Sequence, residues 1–196
     1  MPRLIAAFSS IVKTMALCLL ISCHAGFSQA DNSVLDRVVE SGVLRVAMSV
    51  NQPPFSMRDR AGTIIGFDVE LAQALAAAMQ VKLEIVEIPF ADLLSALKQD
   101  KADAVISGLS ITPDRTRQLS FVGPYILSGK SILTTARIKQ VVTNTAEFND
   151  PEIRIVALRN STSEGFVRSS LPKASLHIIA NYNEGIEQLL TGSIDA

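Results

Sequence analysis

Residues 81–106 read V-K-L-E-I-V-E-I-P-F-A-D-L-L-S-A-L-K-Q-D-K-A-D-A-V-I, and the fold turns on how this stretch divides. Over 81–88 apolar and charged residues largely alternate, the period of a strand with one wet face. Over 91–99 Leu93, Leu94 and Leu97 gather on one side of a helix. Residues 102–106 are short and, Asp103 apart, apolar, as in a buried strand. Strand, helix, strand with such short links implies parallel strands joined by a crossover helix.

The same reading extends upstream. Asp31 or Asn32 is placed to cap a helix ending near Ser41, and Gly42 suits its C-terminal stop. Residues 43–48 (V-L-R-V-A-M) are a mostly buried strand, and Asn51-Gln52-Pro53-Pro54 breaks it into a loop. Residues 58–62 form a solvated turn. Residues 67–79 are a helix, with Phe67, Leu71, Leu75 and Met79 as its expected inner stripe. Downstream, Thr112 caps a short helix with Pro113 at its first position and Asp114 in its first turn. Residues 121–125 are a loop and 130–136 a strand rich in β-branched residues. A second series follows: strand 154–158, helix 162–170, strand 175–180, helix 183–190. The expected class is α/β, with two lobes around a cleft: lobe 1 over 31–129, a hinge strand at 130–136 and a partial lobe 2 over 137–196. No repeat is evident in the sequence.

Composition excludes some functions. Of 196 residues 48% are hydrophobic and 19% charged, which is globular. Lys+Arg (18) and Asp+Glu (19) nearly cancel, so no nucleic-acid partner is expected. Residues 1–30 hold no acid, and their only Lys or Arg residues are Arg3 and Lys13. They carry a short apolar run and end in Ser28-Gln29-Ala30, the pattern of a secretory signal peptide. Two processing points compete: cleavage after Ala30, or lipidation at Cys23 in Leu20-Ile21-Ser22-Cys23, which resembles a bacterial lipobox. Cleavage after Ala30 removes both cysteines and leaves His177 as the only histidine, so neither a metal nor another cofactor is expected.

Five motifs occur in order: Gln52-Pro53-Pro54-Phe55, Gly66-Phe67-Asp68-Val69-Glu70-Leu71, Ala102-Asp103-Ala104, the run from Ser107 to Arg115 (S-G-L-S-I-T-P-D-R) and Phe121-Val122-Gly123-Pro124-Tyr125. Together they resemble the family-3 solute-binding proteins, which deliver polar amino acids to ABC importers. The resemblance implies a type II periplasmic-binding-protein fold, a monomer, an amino-acid ligand and a membrane permease as partner. It also implies that the second lobe and the return crossover are incomplete at Ala196, with weak or no ligand binding as the expected consequence. Gly192-Ser193-Ile194-Asp195-Ala196 is similar to a family segment inside the second lobe.

Site residues follow from the resemblance. Arg115 is the expected carboxylate clamp, since a guanidinium presents two parallel donors. Arg117 should face elsewhere. Gly108 lets its backbone approach the ligand, and Ser110 offers an N–H and a hydroxyl. Ser161 and Thr162 open a helix whose N-terminus suits an anion, with Ser161 and Glu164 as a capping box. Asn160 stands where the family usually has Gly. Phe55 and Phe90 are expected to line the cleft, whereas Phe67 and Phe121 are expected in the core. Asn51 and Gln52 occupy a loop where many relatives carry an acid, and their neutrality argues against a cationic ligand. Asp68 is read as a structural acid at a helix start. The chain is expected not to be an enzyme. The alternatives are a cyclohexadienyl-dehydratase-like enzyme, for which Glu164 is the one candidate acid, and the sensor module of a membrane receptor.

Overall fold

A strand of six residues, β1 (Val43–Met48), anchors the first half of the molecule. The computed structural model describes residues 33–196; the expected signal segment, Cys23, Asp31 and Asn32 lie outside the described residues. The chain divides into two units, Met1–Glu40 and Ser41–Ala196. In the first, Ser33 caps helix α1 (Val34–Ser41): its hydroxyl accepts from the Asp36 N–H, and the Asp36 carboxylate accepts from the Ser33 N–H. Gly42 follows at φ +68°, the left-handed stop that a glycine adopts freely.

In the second unit, β1 pairs in parallel with β4 (Lys82–Glu87) on one side and β5 (Ala104–Val105) on the other. Between β1 and β4 run a small antiparallel hairpin, β2 (Met57–Arg58) with β3 (Ile64–Ile65), and helix α2 (Phe67–Ala78). The hairpin turns at the expected solvated residues. A 3-10 turn (Phe90–Asp92) and α3 (Leu93–Lys98) link β4 to β5, and α4 (Pro113–Thr116) follows. The second half holds α5 (Ala136–Lys139), β6 (Arg154–Leu158), α6 (Thr162–Ser170), β7 (Ser175–Ile179) and α7 (Tyr182–Leu190). β6 and β7 are parallel.

Two expectations change. No strand forms over 130–136: the β-branched run finds no ladder partner, and Ala136 opens α5 under a Thr135 cap. The inner face of α2 is Asp68, Val69, Ala72 and Ala76, not the Phe67–Leu71–Leu75 stripe; Phe67 is 45% exposed and Leu75 40%. The helix is apolar on nearly all sides, so its pattern does not choose a face. Small alanines let its backbone approach the sheet, and close approach increases dispersion contact.

The halves share one core layer. Leu158 of β6 is buried with Ala47, Phe90, Leu93 and Ala102 of the first half. A second cluster, Ile138, Phe148, Ile155, Val167, Leu171 and Ala196, belongs to the second half alone.

Candidate functional site

The expected site residues emerge at the carboxyl ends of parallel strands, where open α/β sheets leave a crevice. Asn51, Gln52 and Phe55 follow β1; Phe90 follows β4; Gly108 and Ser110 follow β5; Asn160, Ser161 and Thr162 follow β6. Each loop starts where a strand's ladder ends.

Arg115 is held by α4. The Thr112 hydroxyl accepts from the Arg115 N–H at 3.3 Å, and Pro113 fixes the first turn. This turns the side chain inward, and the residue is only 8% exposed. Its Nη1 donates to the Ser110 carbonyl and its Nη2 to the Asn160 carbonyl, both at 2.8 Å. One guanidinium thus bridges the first half to the second. Burial pulls its pKa below the ordinary guanidinium value, yet a guanidinium keeps its proton in proteins. Arg117 faces outward and pairs with Asp114.

Asn160 takes φ +59°, as its expected replacement of a glycine requires. Its side-chain NH2 donates to the Ala91 carbonyl at 3.0 Å, a second bond between the halves. The Ser161 hydroxyl accepts from the Glu164 N–H at 3.1 Å, while the Glu164 carboxylate takes the Asn160 N–H at 2.7 Å and Arg168 Nε at 3.0 Å. The capping box therefore closes one residue earlier than a standard one, and Glu164 is committed to it. Thr162 is half-buried at the first turn of α6.

A cavity of about 230 Å³ lies at this junction, lined by Phe90, Ala91, Leu94, Leu109, Arg115 and Asn160 among others. Phe90 serves as both core and wall. A broader, open hollow of about 800 Å³ lies between Ile111 and Phe121 and holds none of the expected site residues. We place the site at the smaller cavity because Arg115 and both halves meet there.

A second cluster sits alongside. Gly108 is left-handed at φ +56°, and a side chain there would lie 3.5 Å from Gln52 Oε1 and 3.9 Å from the Phe55 ring. Gln52 is buried and its main chain closes the tight turn to Ser56. The Asn51 Oδ1 accepts from the Ser49 hydroxyl at 2.9 Å. The Gly108 N–H donates to the Tyr125 hydroxyl at 2.9 Å. The sequence marks Tyr125 only as part of a loop motif, and no local spacing links it to Gly108. Asp68 is fully buried, and burial raises its carboxyl above the ordinary value. Among the described residues no group of three or more His, Cys, Asp or Glu is arranged to hold a metal.

Two α/β halves meet at their strand ends, where the buried Arg115 guanidinium joins them. The pattern of the bacterial extracellular solute-binding proteins, family 3, matches residues 44–195, and the chain belongs to that family. It is 33% identical over 189 residues to the cyclohexadienyl dehydratase of Pseudomonas aeruginosa, covering 96% of this chain and 70% of that protein. It is 32% identical to the L-arginine-binding protein of the same species, covering 78% of this chain and 59% of the relative. Among solved structures it resembles an ancestral amino acid-binding protein described as a precursor of cyclohexadienyl dehydratase (TM-score 0.81, 33% identity, 83% of this chain and 72% of that one). It also resembles an amino acid ABC transporter substrate-binding protein from Streptococcus pneumoniae bound to L-arginine (TM-score 0.79, 30% identity, 83% and 68%). The fold is that of the type II periplasmic binding proteins.

Proposed function

We propose that this chain is the ligand-binding part of an extracytoplasmic receptor that captures a polar amino acid between its halves and delivers it to an ABC permease. One observation carries the reading: the buried Arg115 guanidinium spans the junction, with one donor on each half. A ligand carboxylate is a stronger acceptor than two separate carbonyls, because both oxygens carry charge and match the donor spacing. It would exchange with the Ser110 and Asn160 carbonyls at Arg115. The main-chain N–H groups at the start of α6, beside Ser161 and Thr162, would receive it from the other side. Phe55 and Phe90 would wall the side chain; Asn51, Gln52, Gly108 and Ser110 would supply neutral polar contacts. Closure is a population shift, driven only by contacts the ligand makes with both halves. The names of the arginine-binding relatives support an amino-acid ligand. The export pattern of residues 1–30 supports a periplasmic location, either free after cleavage at Ala30 or anchored at Cys23; intact mass distinguishes the two.

Calorimetry with L-arginine, L-histidine, L-glutamine and L-cystine tests the reading. Arg115→Ala should weaken any binding by at least about 100-fold, the loss of two charge-assisted hydrogen bonds at about 1.5–3 kcal/mol each. Arg117→Ala should leave binding unchanged. Equal affinity in Arg115→Ala and the parent protein overturns the assignment.

A second reading is a cyclohexadienyl dehydratase, favoured by the alignment that runs over 96% of the chain. Against it, both Glu164 oxygens are engaged in the start of α6, which leaves that candidate acid committed. Turnover of prephenate or arogenate by the purified protein would establish it.

A further inference from the structure

Two sequence motifs stand outside the binding chemistry, Gly66-Phe67-Asp68 and the loop ending in Tyr125, and they meet in space. The Tyr125 ring stacks on Phe67, with centroids 6.0 Å apart and planes at 29°. Its hydroxyl oxygen accepts from the Gly108 N–H. A phenol that accepts with its oxygen still has a proton to give. Asp68 is the buried acid beside it, and the Tyr125 hydroxyl and the Gly108 amide are the groups that oppose the burial effect on its carboxyl. Neither Asp68 oxygen has a hydrogen bond of ordinary geometry. An acid serving only the start of α2 would have its oxygens on the N–H groups of that first turn, so capping does not account for it. Instead, the Asp68 main-chain N–H donates to the Phe55 carbonyl at 2.9 Å. Asp68 thus touches the loop of Phe55, and Tyr125 holds the turn of Gly108.

We propose that Tyr125 and Asp68 are positioning residues of the binding site: the phenol takes the Gly108 N–H, gives its own proton to the Asp68 carboxylate, and so holds the Gly108–Ser110 turn in its left-handed form beside Gln52 and Phe55. A buried acceptor favours this geometry, since leaving a buried carboxylate unmatched costs more than ordering one hydroxyl. The Gly108 N–H is therefore used inside the protein, and that turn presents its other polar groups to the cleft. The inference rests on the amino-acid-binding reading only for its effect on affinity; the positioning itself is a property of the protein without ligand.

Site-resolved hydrogen exchange in the ligand-free chain tests it. The Gly108 amide should be protected in the parent protein. In Tyr125→Phe, which keeps the ring on Phe67, that amide should exchange at least tenfold faster while Ala47 in β1 is unchanged. Asp68→Asn, whose amide oxygen can still accept from the phenol, should retain most of the protection, and Asp68→Ala should lose it. Where an amino acid binds, Tyr125→Phe should weaken it about tenfold. Equal Gly108 exchange in the parent and Tyr125→Phe overturns the proposal, as does a uniform rise at Gly108 and Ala47, which would mark a general loss of stability. If the exchange pattern holds and no amino acid binds, the positioning stands and the amino-acid reading fails.

Discussion

The two halves are built on one frame. In the first, the Asp103 carboxylate accepts from the Arg45 N–H at 2.8 Å, from Nε at 3.2 Å and from Nη2 at 2.7 Å, while the Asp103 N–H donates back to the Arg45 carbonyl. In the second, Asp195 accepts from the Arg154 N–H at 3.0 Å, from Nε at 2.9 Å and from Nη2 at 3.1 Å, and its own N–H returns to the Arg154 carbonyl. Ile194–Ala196 therefore lies beside β6 as Ala102–Val105 lies beside β1. Each half runs strand, helix, strand, helix and an Asp-Ala step. What differs is the link after the first strand. Residues 49–66 carry the hairpin, Gln52 and Phe55, whereas residues 159–161 suffice in the second half. The ion pairs are common to both halves, and the loops at the strand ends, where the halves differ, carry the proposed site.

Substitutions test how far the two halves are alike. Gly66→Ala should have the largest effect. Gly66 sits at φ +131°, and a Cβ there runs into the Phe55 and Pro54 carbonyls, which are backbone and cannot swing away. Strain plus overpacking should cost on the order of 4 kcal/mol in urea unfolding. Next comes Arg45→Ala, which removes the Nε and Nη2 hydrogen bonds to the Asp103 carboxylate. About 3 kcal/mol is expected, the low end for a broken buried pair because Arg45 is 30% exposed. Arg154→Ala should cost less, since Arg137 Nη2 still donates to Asp195 at 3.0 Å. Equal losses for the two variants would end the account in which Arg137 backs up Arg154 at Asp195. Gly185→Ala in α7 should cost about 1 kcal/mol: the new Cβ meets the Ile179 side-chain tip at 2.7 Å, while alanine favours the helix.

The smallest expected effect is in pH dependence, where two buried aspartates have opposite signs. Hydrogen bonds from Arg154 hold Asp195 below the ordinary carboxylate value of 3.8. Its contribution is complete above that value and is lost as pH falls through the lowered one. Burial raises Asp68 above 3.8, so its ionisation removes stability as pH rises through the raised value. Asp68→Asn should therefore lose less stability than the parent between pH 4 and 7, measured by urea unfolding at both pH values. A steeper loss in the variant would contradict the assignment.

Much of the frame was legible in the chain because its signals are local. Residues 43–48, 154–158 and 162–170 form the elements expected of them. Thr112, Gly42 and Ser161 act as read, since a cap or stop depends on two or three neighbours. Arg115 at the junction was legible only through its motif context. The inner face of α2 was not, because Phe67, Leu71, Leu75 and the alanines offer two competing apolar faces. The strand expected at 130–136 failed because β-branched residues need a partner strand as well as a propensity.

Local spacing and turn chemistry were enough to set the order of elements, the parallel crossovers and the cationic helix start that carries Arg115. Long-range packing alone could join Arg45 to Asp103, 58 residues apart, Arg115 to the Asn160 carbonyl, 45 residues apart, and Tyr125 to Gly108. Such pairings compete with many other loop closures of similar entropy. They are selected only when the sheets and helices have already brought the partners within reach.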